Sequence, residues 1–154
     1  MQHPDNELFE EFVQPMIGLP LSHLWCGHGI AIFLEFGKPT PRKRRDGSDA
    51  APGGEMCVML EGSWRIEGRK GIICGIWTEE DRWERGFRVL RGQKLIDVTL
   101  FGRLPEIDLS FENGAHCVSF TVIEGHPEWV IFDRHHKKTR WLRSKYGRLF
   151  VEEA

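Results

Sequence analysis

Between IDLSF (107–111) and HCVSFTV (116–122) stand Glu112, Asn113, Gly114 and Ala115. Both runs alternate apolar and polar residues, so each presents one apolar face. Asn-Gly tolerates the positive φ angles that a tight hairpin needs. The pattern recurs along the chain. Residues 19–26 (LPLSHLWC), 55–67 (EMCVMLEGSWRIE), 71–77 (GIICGIW), 94–101 (KLIDVTLF) and 128–133 (EWVIFD) read as strands, and 139–144 with 148–152 as a last hairpin around Tyr146-Gly147. Residues 30–36 (IAIFLEF) are almost continuously apolar, as in a strand buried on both faces. Short strands punctuated by turns predict a mainly β fold, roughly eight antiparallel strands in a barrel or sandwich.

One helix is expected near 78–90. Thr78 and Asp81 fit a capping arrangement, and Trp83, Phe87 and Leu90 recur at helical spacing, although Gly86 weakens the helix by about 1 kcal/mol relative to Ala. Residues 1–17 read as an acidic N-terminal arm or short helix that Pro15 stops, leaving 18–154 as a single β-rich domain. Residues 38–54 hold three Pro, three Gly and no large apolar side chain, the composition of a loop. LPLSHLWCGHGIAIFLEFG (19–37) set against LPEIDLSFENGAHCVSFTV (104–122) matches at Leu19/Leu104, Pro20/Pro105, Leu24/Leu109 and Gly29/Gly114. That suggests a duplicated β-meander with half-repeats 19–77 and 94–152 joined by the helix, two meanders covering each other's apolar faces.

A chain of 154 residues buries roughly 70% of its unfolded surface, so it needs neither disulfide nor metal to fold. The four cysteines, Cys26, Cys57, Cys74 and Cys117, form no C-x-x-C pair and read as free thiols. No apolar run reaches the length of a membrane helix and no secretory signal is visible, so a cytoplasmic location is expected. Net charge is −2, which gives no global attraction to nucleic acid, yet residues 134–148 carry seven Lys or Arg and no acid.

No catalytic set stands out. G-x-S-x-G is absent, and Gly27-His28-Gly29 lacks the third glycine of a phosphate loop. The metal-ligand candidates are Cys26 and His28 in His23-x-x-Cys26-x-His28, with His126 and His135 beside Asp133. Zinc suits these residue types, but the ligand set is incomplete and a strand would point His23 and Cys26 to opposite faces, so no cofactor is predicted. The basic segments 42–45 and 134–148, with Trp141 and Tyr146 interleaved, fit a weak nucleic-acid surface or a charged edge strand. Trp25, Trp64, Trp77 and Trp129 fall in expected strands and read as core. Trp83 and Trp141 lie among charges and read as exposed, which makes them, with Arg143 and Tyr146, the candidates for a protein-interaction surface.

The segments LPLSHLWCGHGIAIFLEFG, PGGEMCVMLEGSWRIE and LPEIDLSFENG…SFTVIEGHPEW together resemble a family of small uncharacterised bacterial proteins, a domain of unknown function. The likeness spans about residues 16–133 and implies a bacterial cytosolic β domain, with no activity to carry over. The reading that follows is a non-enzymatic binding or protein-interaction module, with a protein partner or self-association. The alternatives are a small-ligand or metal-dependent enzyme using Cys26, His28, His126 and His135, and a nucleic-acid binder.

Overall fold

The computed structural model describes residues 6–27, 29–123 and 129–153. It opens on helix α1 (Asn6–Val13) and a tight helical turn (Gln14–Met16), followed by β1 (Leu21–Cys26), β2 (Ile32–Phe36), β3 (Thr40–Lys43), β4 (Asp49–Gly53), β5 (Met56–Leu60), β6 (Ser63–Gly68) and β7 (Gly71–Gly75). A turn at Glu80–Arg82 leads into α2 (Trp83–Leu90). Then come β8 (Leu95–Phe101), β9 (Glu106–Phe111), β10 (His116–Phe120), β11 (Trp129–Asp133), β12 (Arg140–Lys145) and β13 (Arg148–Glu153). The first sheet has the order β1-β2-β5-β11-β12-β13, the second β7-β6-β10-β9-β8, and β3 pairs with β4 alone; every pairing is antiparallel.

The mainly β expectation holds, and four details change. Among the described residues thirteen strands form rather than about eight, and neither sheet closes into a barrel. The same residues hold two helices, not one. The acidic arm is part of the core: Phe9, Phe12, Val13 and Met16 are buried in one cluster with side chains of both sheets, while the acids face outward. Residues 38–54 are not a bare loop but the β3–β4 ribbon, turned at Gly47 with φ of 86°. Composition hid this ribbon because β3 is exposed throughout and β4, half-buried through Ala50, Ala51, Pro52 and Gly53, buries no large side chain, so neither strand need be strongly apolar.

The Asn-Gly hairpin forms with a different turn from the one two positive φ angles would give. Gly114 alone is left-handed, at φ of 85°, and its N–H donates to Phe111 O while Phe111 N–H donates to Ala115 O. That is a three-residue loop with glycine at its left-handed position. Asn113 uses its side chain instead, accepting from Ala115 N–H and donating to Val89 O at the end of α2.

The two halves repeat one another's hydrogen bonds. Leu21 pairs with Phe36 before a bulge in β1, and Leu95 pairs with Phe111 before a bulge in β8. Leu21 N–H donates to Gln93 O as Leu95 N–H does to Leu19 O, and Gly92 N–H donates to Leu21 O as Gly18 N–H does to Leu95 O. Trp64 Nε1 donates to Ile30 O and Trp129 Nε1 to Pro105 O. A helix ring meets each indole edge-on: Trp83 on Trp64 at 5.0 Å and Phe9 on Trp129 at 6.0 Å. These contacts relate β1 to β8 and β2 to β9, whereas the match of 19–37 with 104–122 sets β1 against β9.

Gly86 has a packing reason. A methyl group there would overlap Cys74 Sγ and stand 2.9 Å from Ile66 Cδ1, so its absence lets α2 lie flat on the second sheet. Helix propensity alone predicts that Gly86→Ala stabilises by about 1 kcal/mol. We expect instead a net loss of about 1–3 kcal/mol in urea unfolding, the usual cost of overpacking.

Candidate functional site

A strand sends alternate side chains to opposite faces, so the register identifies what each sheet presents away from the core. On the second sheet one outward row is Arg65, Val118, Asp108 and Thr99, and the next is Glu67, His116, Ser110 and Asp97. Further along the same face stand Phe120, with Arg65 over its ring, and Phe101; the rest of the surface is mostly polar, with Arg65 paired to Glu67 and His116 to Asp108. The corresponding rows of the first sheet read Trp25, Phe33, Met59, Val130, Arg143, Phe150 and His23, Glu35, Cys57, Phe132, Trp141, Glu152. Two aromatic pairs rise from this face: Trp25 stacks on Phe33 at 4.0 Å, and Phe132 meets Trp141 edge-on at 5.4 Å. β5 runs between them and contributes Cys57 and Met59, which leaves a trough roughly two strand spacings, about 9.5 Å, across. The resulting cleft holds about 330 Å³ and is lined by Trp25, Phe33, Phe132, Trp141, Thr139, Arg42 and Arg134.

Glu35 lies on this same face, fully buried. An ionised carboxylate out of water requires a counter-charge. Arg134 supplies it, Nη1 donating to Glu35 Oε1 at 2.6 Å and to Gly54 O at 3.0 Å, while Gly54 N–H donates to the same Oε1 at 3.0 Å. The contact pins the end of β11 to the connection that carries the β3–β4 ribbon. Cys57 sits against this pair; burial, then the Glu35 charge, pushes its thiol well above the usual range. Alongside, Glu55 accepts from Lys38 N–H and faces His135 Nε2 at 3.3 Å, contacts that lower its carboxyl below the usual value, the Lys38 bond foremost. His135 Nδ1 meets Asp133 Oδ1 at 2.9 Å.

Hydrogen-bond donors are in excess here. Arg42 comes in from the ribbon, its Cδ and Arg134 Nη1 standing 2.7 and 3.2 Å from where a Gly53 side chain would begin. Arg134 is neutralised by Glu35, but among the described residues no carboxylate pairs with Arg42. Trp25 Nε1 and Arg143 Nε are buried without an acceptor, whereas the unmatched acceptor, Glu35 Oε2, is buried beside Cys57.

Of the residues singled out from sequence, Trp141 and Arg143 lie on this face. Trp83 does not: it is buried, capping the Trp64 ring and donating through Nε1 to Gly75 O and Thr78 O, because the α2 face that packs on the sheet begins with it. Tyr146 is exposed in the β12–β13 turn, away from the cleft. Trp25 and Trp77, read as core, are a cleft wall and a fully projecting side chain, since β1 is an edge strand and Trp77 lies past the last rung of β7. Only two of the four proposed metal ligands lie among the described residues. Cys26 and His135 stand at opposite ends of the first sheet, His28 and His126 lie outside the described residues, and no group of three or more His, Cys, Asp or Glu among the described residues is placed to hold a metal. Cys57, Cys74 and Cys117 are buried and free, and Cys26 is exposed. Sequence reading missed Phe33 and Phe132, and it placed Arg42, Arg134 and Thr139 in two basic segments without bringing them to one cleft. The available signal was Glu35, a charge inside the apolar run 30–36 that had to find a cation.

Comparison with protein-family models, curated proteins and solved structures finds no match to this chain. No helix among the described residues is long and apolar enough to cross a membrane.

Removing Arg134 leaves Glu35 buried and unpaired. Arg134→Met should therefore destabilise by about 3–5 kcal/mol in urea unfolding, and adding Glu35→Gln should recover a good part of that loss. An Arg134→Met loss unchanged by the second substitution would mean that the pair carries no coupling.

Proposed function

We propose that this chain is a non-enzymatic binding module, and that its ligand is a small flat ring bearing a negative charge, held in the cleft on the outer face of the first sheet. The observation that carries this reading is the contrast between the two outward faces. The halves share strand order and hydrogen bonds, so the scaffold needs no more than the polar surface of the second sheet. On the first sheet the outward rows carry two aromatic pairs in contact, where the second sheet carries Phe120 and Phe101 singly, and the chain adds the β3–β4 ribbon where the other half turns in three residues. Aromatic walls favour a planar apolar body, and a volume of about 330 Å³ is at the small end of ligand pockets. Arg42, which lines the cleft and pairs with no carboxylate among the described residues, and the buried Trp25 Nε1 without an acceptor favour a carboxylate or phosphate on that body.

Among the described residues that line the cleft there is one hydroxyl, Thr139, and no imidazole beside it to act as its base, which supports binding rather than catalysis. The nucleic-acid alternative keeps one observation in its favour: Arg42 comes from one basic segment and Arg134, Thr139 and Trp141 from the other, so both meet in one cleft. A base carrying a phosphate has the chemistry just described.

Ligand-observed NMR titration with 2-naphthoate, its neutral amide, AMP and adenosine separates these readings. We expect saturable binding of an anionic member, at least tenfold weaker for its neutral counterpart and for Arg42→Ala, and lost in Trp141→Ala at unchanged thermal midpoint. Preference for AMP over naphthoate would favour the nucleotide source. Equal binding of charged and neutral probes would remove the anion requirement, and binding indifferent to Trp141→Ala would remove the cleft.

A further inference from the structure

We propose that two copies of this chain pair through the end of the molecule that carries Trp77 and Tyr146. The first sheet ends there on the rung Cys26, Ile32, Leu60, Trp129, Ser144 and Leu149. The two indole bonds, Trp64 to Ile30 O and Trp129 to Pro105 O, draw the β1–β2 and β8–β9 connections onto the same end. Seven of the ten exposed large apolar side chains among the described residues are here, in the connections or at their edge, a concentration at one end rather than scattered exposure. Trp77 is 89% exposed and Tyr146 73%. Ile30, Ile76, Trp77, Val122 and Ile123 enclose a hollow of about 180 Å³ with Glu61 at its side.

The charges around this end decide which partner it fits. On the Trp77 flank stand Glu61, Glu79, Glu80 and Asp81. On the opposite flank Leu104 lies against Gly147, Lys145 Nζ is 5.3 Å from the Tyr146 ring, and Arg103 and Arg148 are exposed. The two flanks lie at opposite sheet edges: Cys26 on edge strand β1 feels Glu80 and Glu84, whereas Tyr146 turns into edge strand β13. A surface with acid on one flank, base on the other and apolar groups between is complementary to itself. Rotating a second copy by half a turn sets each acidic flank on the other's basic flank, the isologous arrangement of a twofold dimer. The cleft lies on the outer face of the first sheet and is left open by this pairing.

Sedimentation equilibrium of the full chain tests it. Dimer is expected at about 100 μM, with dissociation promoted by salt. Trp77→Asp should leave a folded monomer. Glu79→Lys with Glu80→Lys, or Lys145→Glu with Arg148→Glu, should each weaken self-association at least tenfold, and the two reversed proteins mixed together should pair again. The mixing arm distinguishes charge pairing from misfolding, since a misfolded variant would not recover. A wild-type monomer at that concentration, or a dimer that survives both Trp77→Asp and the charge reversals, overturns the proposal.

Discussion

The indole of Trp64 reaches the carbonyl of Ile30 and that of Trp129 the carbonyl of Pro105, and each ring is met edge-on by an aromatic side chain from a helix. A buried indole needs an acceptor for its N–H, and each finds one in a loop leaving the opposite sheet. These two contacts tie the ends of the sheets together while the shared apolar cluster fills the space between them. Because both helices contribute to the same locks, the ring sets Phe9 with Trp129 and Trp83 with Trp64 bind the first half of the chain to the second.

A scaffold held this way leaves its two outward faces chemically free. The second sheet presents mostly charges and hydroxyls, with Phe120 and Phe101 set singly among them. The first presents aromatic pairs over a buried Glu35–Arg134 ion pair. A buried ion pair is weak evidence for stability in itself, because desolvation offsets most of the attraction. Its consequence here is positional: it holds the end of β11 against the root of the ribbon, and so brings Arg42, Arg134 and the aromatic walls to one place.

Much of the fold was legible in the sequence because each strand alternates against a common core. Turn chemistry placed the β9–β10 hairpin, and Trp83, Phe87 and Leu90 placed α2. Other features were hidden for identifiable reasons. The ribbon at 40–53 buries only small residues, those of β4, so no apolar pattern marks it. Trp83 is surrounded in sequence by Glu80, Asp81, Arg82, Glu84 and Arg85, yet helical periodicity turns it inward. Trp77 shares the apolar character of 71–77 but lies two residues past the last rung of β7. The cleft was the least legible part, because its residues come from β1, β2, the ribbon, β11 and β12, and no local window contains their meeting. Cys26 and His135 show the converse: ligand types suggestive in sequence that the fold holds apart.

The central claim is that the ribbon belongs to the site and not to the scaffold. Excising residues 39–52, with Asn-Gly joining Lys38 to Gly53, tests it directly in one pair of measurements, cooperative unfolding and titration with the anionic probe. The account predicts a protein that unfolds cooperatively within about 1–2 kcal/mol of the full chain, the scale of a tolerated surface-loop change, and that no longer takes up the probe. Collapse of the cooperative transition, or undiminished uptake of the probe by the shortened chain, would contradict it.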